Sequence, residues 1–308
     1  MIRKEYIYKD VDGVQIGADV YYDESTSDKS IPIALYYHGG NFTVRTKEQM
    51  VKGYIEKLLE LGFVVISANY RLCPTIKLFD GPVTDALDVY RWAQETLPNI
   101  LKRDANLYVD GTRIVTFGHS CGGTLALLAA NLPHPPCAIL DVYGMKYLQD
   151  PRYHTRSPAT ANLPPINLAI VAEVWKQLPP PTSGPLPSGP NGPNLGDARV
   201  AWMFQALKDG THIEQIVHDG NYERVDPAFL FSKIRFPPTY FIHGSADTSV
   251  SPEFSQRACE QLKGAGAESH LVIVDGAPHG FDAAALPGDE YFAIVSKGLE
   301  FLKAHIIY

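Results

Sequence analysis

The 308-residue sequence predicts an α/β fold with a mostly parallel central sheet, an N-terminal antiparallel hairpin and helices on both faces. Two observations carry this. Short continuous apolar runs alternate with stretches of helical periodicity, the pattern of a sheet buried on both faces and linked by crossovers. That rhythm fails once, from about residue 145 to 225, and then resumes, so one sheet domain carries an insertion.

Taken in order, "EYIYKDVDG" and "VQIGADVYYD" are β-rich alternating runs around the turn pair Asp12-Gly13, which reads as a hairpin at a sheet edge. "IPIALYYHGG" (31–40) is an apolar run feeding a glycine pair, and "FVVISANY" (63–70) has the same character. Between them the spacing predicts a helix: Thr46 and Gln49 stand at capping-box separation, Val51, Tyr54, Ile55, Leu58 and Leu59 form an apolar face, and Gly62 closes it. Strand, helix, strand demands a parallel crossover. A helix opened by Thr84 and Asp85, the strand "RIVTFG", a helix after Ser120 and the strand "CAILDVYG" extend the sheet.

The insertion contains no clean strand, and "LPPPTSGPLPSGPNGPN" (178–194) has too much Pro and Gly for any helix or strand interior. Its Tyr153, Trp175, Trp202, Met203 and Phe204 suit a helical cap over the strand ends, while the Pro-rich part suits a partly disordered loop equally well. "PPTYFIHGSAD", a helix from about 252 to 263, "SHLVIVDG" and a final helix with Phe292, Val295, Leu299 and Leu302 on one face complete the core. The expected division is core at 1–144 and 226–308 and cap at 145–225.

Charge excludes some functions. Lys and Arg number 27 against 34 Asp and Glu, interspersed, for a net charge of −7, which argues against nucleic acid or an anionic membrane as partner. No run approaches the roughly 18 apolar residues of a membrane span, and "MIRKEYIYKDVDG" meets charges before any apolar run, so a cytoplasmic protein is expected. Cys73, Cys121, Cys137 and Cys259 fall in or beside predicted elements and read as free thiols. Asn41-Phe42-Thr43 matches a glycosylation sequon, which we discount because it requires a secretory route. A homodimer is an open expectation.

The chemistry concentrates in "TFGHSCGGTL" (116–125). Ser120 sits between Gly118 and Gly122, after an apolar strand and before a helix, where a sharp turn exposes a hydroxyl above the sheet. Asp247 follows the strand "TYFI" and His279 follows "HLVIV", which puts both at the carboxyl ends of strands. A serine needs a base to take its proton, and the resulting imidazolium needs an anion at its other nitrogen. His279 and Asp247 are the candidates for those roles; Asp275 and Asp282, nearer to His279 in sequence, are expected to cap or solvate the loop. The order Ser120, Asp247, His279 is the one that this topology requires. "HGGN" (38–41) supplies a glycine loop after an early strand, so the amides of Gly39 and Gly40, with that of Cys121, are placed as an oxyanion hole. Cys121 is a second candidate nucleophile, but its position contributes an amide while Ser120 is exposed. The remaining histidines, His119 and His243 included, show no metal-ligand spacing and are assigned structural or surface roles.

"HGGN", "NYRLCP", "GHSCGG", "GSAD" and "HGF", in this order, resemble the α/β-hydrolase superfamily, specifically its hormone-sensitive-lipase-like and carboxylesterase branch. The resemblance spans the chain outside 145–225 and implies Ser120, Asp247 and His279 as triad, Gly39, Gly40 and Cys121 as amide donors, and His38 with Asn41 as organisers of the loop. Asn41 and Phe42 stand where relatives usually have a third glycine and then an aromatic residue. Cysteine also follows the serine where alanine is frequent. The expected activity is hydrolysis of a carboxylic ester, lactone or thioester of a small, mostly apolar molecule through an acyl-enzyme, with no metal or organic cofactor. Arylformamidases and acyl-transferring or ring-closing enzymes share the fold and triad and form a second reading; a non-catalytic ligand receptor is a third.

Overall fold

The computed structural model describes residues 1–23, 30–190 and 192–306. Eight strands form one sheet: β1 (Ile2–Val11), β2 (Val14–Tyr22), β3 (Ile31–Tyr37), β4 (Val64–Ala68), β5 (Val109–His119), β6 (Ile139–Val142), β7 (Thr239–Gly244) and β8 (Ser269–Val274), in the spatial order β1-β2-β4-β3-β5-β6-β7-β8. β1 and β2 form the expected antiparallel hairpin, β2 lies antiparallel to β4, and every later pairing is parallel.

Alternation along the strands divides the core. On one face Ile33, Leu35 and Tyr37 pack with α2 (Thr84–Glu95), α3 (Leu97–Ala105), α4 (Cys121–Leu128) and, further along the sheet, α8 (Pro252–Gly264). On the other, Ala34 and Tyr36 pack toward α1 (Lys52–Glu60) and α9 (Glu290–Ala304), where Val295, Leu299 and Leu302 are buried as their spacing predicts. Residues 145–225 add no strand to this sheet; they hold the short helix Leu168–Ala172 (α5), Ala198–Asp209 (α6), His212–Val217 (α7) and a two-residue strand pair, Ser188–Gly189 with Gly192–Pro193.

One local expectation needs correction, and two features go beyond the sequence reading. The predicted capping box at Thr46 does not form, because Asn69 Oδ1 accepts from both Thr46 Oγ1 (3.1 Å) and the Lys47 amide (2.7 Å); a short 3-10 turn results and α1 starts only at Lys52. Thr84 and Asp85 open α2 as expected, and Asp85 does more than start the helix. It is fully buried and accepts from Lys9 Nζ at 2.6 Å and Arg71 Nη2 at 2.8 Å, tying the hairpin to α2. α3 was unforeseen; Pro98 sits in its first turn, where the missing N–H has no partner to lose.

Candidate active site

Strand pairing assembles the site. β3 lies beside β5 with Tyr37 opposite Gly118, so the 38–45 loop leaves the sheet next to the turn that carries Ser120. β7 lies beside β8 with Gly244 opposite Val274, so the loops bearing Asp247 and His279 also emerge together. Strand order reverses at β3 and β5, the kind of switch point where open α/β sheets bind ligands.

Ser120 has φ 55° and ψ −127°, a conformation non-glycine residues rarely adopt. Bonds of 2.9 Å from its amide to Val142 O and from the Gly123 amide to its own carbonyl hold it there. The flanking glycines are steric requirements, since a Cβ at Gly118 would lie 2.3 Å from the Gly122 carbonyl carbon and one at Gly122 would lie 2.1 Å from Tyr37 O. The turn closes only because both positions lack a side chain.

The structure brings all three predicted residues together. His279 Nε2 is 3.1 Å from Ser120 Oγ, and His279 Nδ1 is 2.7 Å from Asp247 Oδ2. Asp247 Oδ1 accepts from the Ser249 and Val250 amides at 2.8 and 2.9 Å. Burial opposes ionisation of Asp247, but hydrogen bonds from His243 and His279, the His279 charge and the Val250 amide outweigh it and hold the carboxyl below its usual range.

Behind these three residues runs a buried polar chain that sequence reading did not find. His243 Nε2 stands 3.2 Å from Asp247 Oδ2 and 3.0 Å from Val250 O, and its Nδ1 is 2.8 Å from Ser255 Oγ. Ser255 Oγ accepts from Lys146 Nζ at 2.9 Å, and that ammonium pairs with Asp141 at 2.8 Å. Because lysine only donates, the Ser255 hydroxyl is left to donate to His243 Nδ1, which fixes the ring proton on Nε2, toward Asp247. Asp282 is likewise not a loop solvator: fully buried, it accepts from Tyr143 (2.6 Å), His119 (2.8 Å) and Tyr54 (3.0 Å) at the base of the cleft over Ser120. Burial raises its pKa, and the His119 charge with these donors more than reverses the effect, leaving it lowered. Asp275, by contrast, does stay at the loop surface, accepting from Ser245 Oγ.

The amides of Gly39, Gly40 and Cys121 donate no hydrogen bond among the described residues, and a Cβ at Gly39 would lie 3.3 Å from Ser120 Cβ. Three free N–H groups therefore border the serine. His38 lies beneath them, its ring stacked on Tyr70 (centroids 4.2 Å apart) and its Nδ1 donating to Gly39 O at 2.8 Å; burial pushes its pKa down to about 4, so it is neutral. Asn41 turns its amide nitrogen toward Met203 Sδ, 3.7 Å away, and borders two hollows: a cleft of about 150 Å³ over Ser120 and His279, and one of about 330 Å³ reaching Tyr153, Arg156 and His212.

Cys121 points the other way from Ser120. Its Sγ accepts from the Phe42 amide at 3.2 Å, and burial pushes the thiol up to about 11, which keeps it protonated.

The 145–225 segment is tied to this loop. Arg199, on α6 and buried, donates from Nη1 to Thr43 O at 3.1 Å and to Cys73 O. The Pro-rich stretch, which composition leaves equally open to partial disorder, is bonded to the 45 and 72 backbone: Pro181 O accepts from the Leu72 amide (2.8 Å), Pro185 O accepts from the Arg45 amide (3.2 Å), and the Gly184 amide donates to Arg45 O (2.8 Å).

A family model described as an alpha/beta hydrolase fold matches residues 34–283. The non-reducing polyketide synthase ausA of Emericella nidulans is 30% identical over 97% of this chain, and mapC' of Penicillium brevicompactum, also a non-reducing polyketide synthase, is 30% identical over 97%. This chain spans only 14% and 15% of those two proteins. Among solved structures, a protein of unknown function from Staphylococcus aureus superposes with a TM-score of 0.74 at 21% identity, each chain covered in full. Thermogutta terrifontis esterase Est2 with bound propionate gives a TM-score of 0.66 at 20% identity over 99% of this chain and 94% of its own.

Proposed function

The chain belongs to the α/β-hydrolase family, and from that premise we propose that it is a serine hydrolase that cleaves a carboxylic ester, lactone or thioester of a small, mostly apolar molecule. The supporting observation is the unbroken contact path from Ser120 Oγ through His279 to Asp247, at 3.1 and 2.7 Å. In this mechanism Ser120 attacks the acyl carbonyl while His279 Nε2 takes its proton. Asp247, held as the anion, stabilises the imidazolium and keeps Nδ1 protonated. The developing oxyanion takes N–H bonds from Gly39, Gly40 and Cys121. Collapse of the intermediate expels the alcohol or thiol, which receives the proton from His279. Water, deprotonated by the same imidazole, then releases the acid. Residues 145–225 act as the cap that shapes the substrate hollow, and no metal or organic cofactor takes part.

Likeness to polyketide synthases over nearly the whole chain favours thioesters within this class. Transfer of a thioester's acyl group to water or to an internal hydroxyl is the acyl-enzyme chemistry set out above. The test is a hydrolysis panel of nitrophenyl esters, N-acetylcysteamine thioesters, lactones and N-formyl anilides, with a fluorophosphonate label located by peptide mass spectrometry. The label falls on Ser120, ester or thioester turnover exceeds formanilide turnover, and Ser120→Ala loses both label and activity. Activity that survives Ser120→Ala would overturn the mechanism, and preferential cleavage of the formanilide would favour an arylformamidase.

A further inference from the structure

Among the described residues, Arg45 is the only Lys or Arg bordering the cleft over Ser120 and His279, and its guanidinium makes no hydrogen bond or ion pair with any of them. Nearby cations are engaged: Lys47 with Glu5 and Asp19, Arg71 with Asp85, and Arg199 with Thr43 O and Cys73 O. The cleft's one carboxylate, Asp282, already accepts from Tyr54, His119 and Tyr143.

The backbone of Arg45 is fixed in a conformation that favours glycine, with φ 76°, clamped on both sides by Pro185 O and the Gly184 amide. Its Cγ lies 3.1 Å from where a Cβ on Gly40 would sit, so the side chain leaves the chain across the oxyanion loop. The charge reaches the site, since it lowers the pKa of Tyr36, His38, Cys121 and Tyr143 against or alongside the larger effect of burial. Arg45 is half-buried at the edge of the cleft with no anionic partner among the described residues, so its charge is free to pair with an anion that a ligand supplies.

We propose that Arg45 recognises an anionic group on the substrate, a carboxylate or phosphate, so that preferred esters or thioesters carry negative charge near the scissile carbonyl. This rests on the hydrolase reading of the same cleft. The anion can belong to the acyl part, as in a half-ester of a dicarboxylic acid, or to the leaving group, as in a thioester on a phosphate-bearing arm; planar guanidinium forks bind both carboxylate and phosphate.

Two substrate pairs separate these sources: 4-nitrophenyl hydrogen glutarate against 4-nitrophenyl pentanoate for the acyl side, and 4-carboxyphenyl pentanoate against phenyl pentanoate for the leaving group. In the wild type the anionic member of one pair has kcat/KM at least about tenfold higher, as one charge-assisted contact implies. In Arg45→Gln that ratio falls to about one, and Arg45→Lys retains part of it. A ratio near one in both wild-type pairs, or one unchanged in Arg45→Gln, overturns the proposal. Should no ester be hydrolysed, the catalytic reading fails separately, and calorimetry with glutarate and with inorganic phosphate decides Arg45: binding heat lost in Arg45→Gln supports the assignment, and no wild-type heat with either probe refutes it.

Discussion

Replacing Lys146 by Met tests the buried chain behind the triad. Lys146 and Asp141 are both fully buried, their charges 2.8 Å apart, and the ammonium also donates to Gly144 O (2.7 Å) and Ser255 Oγ (2.9 Å). Met fills the same volume without charge. Asp141 is then left with the Gly144 amide as its remaining donor, at 2.7 Å, and an uncompensated buried carboxylate costs about 3–5 kcal/mol. For a chain of 308 residues, an unfolding entropy of about 2.1 cal/mol/K per residue converts that loss to a fall of about 5–8 °C in Tm. Asp141→Asn combined with Lys146→Met removes the stranded charge and recovers at least half of the loss. Turnover falls by about tenfold in Lys146→Met, far less than in Asp247→Asn, because Asp247 keeps its two amide donors and loses only the enforced orientation of His243. Scanning calorimetry of the singles and the double, with kinetics on one nitrophenyl ester, reads all of this. A Lys146→Met protein melting within about 1 °C of wild type, or strictly additive Tm shifts in the double, would refute the claim that the pair carries a stability-determining charge.

Deleting Pro179–Pro193 removes three bonds to the Arg45 and Leu72 backbone, each worth about 1 kcal/mol, so the substrate profile changes while a cooperative melt survives at lower temperature; a lost cooperative transition would show the segment to be part of the core. Cys121→Ala retains fluorophosphonate labelling and turnover within about tenfold, because alanine supplies the same amide; turnover lost with it while surviving in Ser120→Ala would make this a thiol enzyme. Burial holds His38 and His212 near pKa 4 in the fold, against about 6.5 unfolded. The unfolded state therefore binds more protons as pH falls from about 6.5 toward 4, and stability is lost across that window. At pH 5 each contributes a loss of about 2 kcal/mol, so urea melts at pH 7.5 and 5 should differ by several kcal/mol, and His212→Gln should shrink the difference; equal melts at the two pH values would contradict the neutral burial of both rings.

The triad candidates were legible because each is announced by a local constraint. Ser120 needs glycines two residues to either side for the turn to close, and Asp247 and His279 need only follow strands. Constraints of this kind are written in consecutive residues. The chain Lys146, Ser255, His243 is not, since Ser255 lies 109 residues from the lysine whose proton it accepts. Asp282 misled for a related reason: its partners Tyr54, His119 and Tyr143 lie 228, 163 and 139 residues away, and its own loop reveals none of them. Thr46 failed in the opposite sense, because a capping signal that was locally complete lost to a distant side chain, Asn69.

The Pro-rich stretch shows what composition decides and what it leaves open. Proline removes a donor from the backbone but not an acceptor, so 178–194 cannot sustain a helix or a central strand. It can still accept along one edge, and Pro181 and Pro185 do so from Leu72 and Arg45. The one returning donor is Gly184, a residue that still has an N–H. Arg45 thus has both backbone polar groups satisfied although its left-handed conformation keeps it out of any regular element. A segment that composition describes only by exclusion fixes the backbone of Arg45 at the edge of the cleft over Ser120, and the sequence carries no mark of that because only the fold decides which amides face those carbonyls.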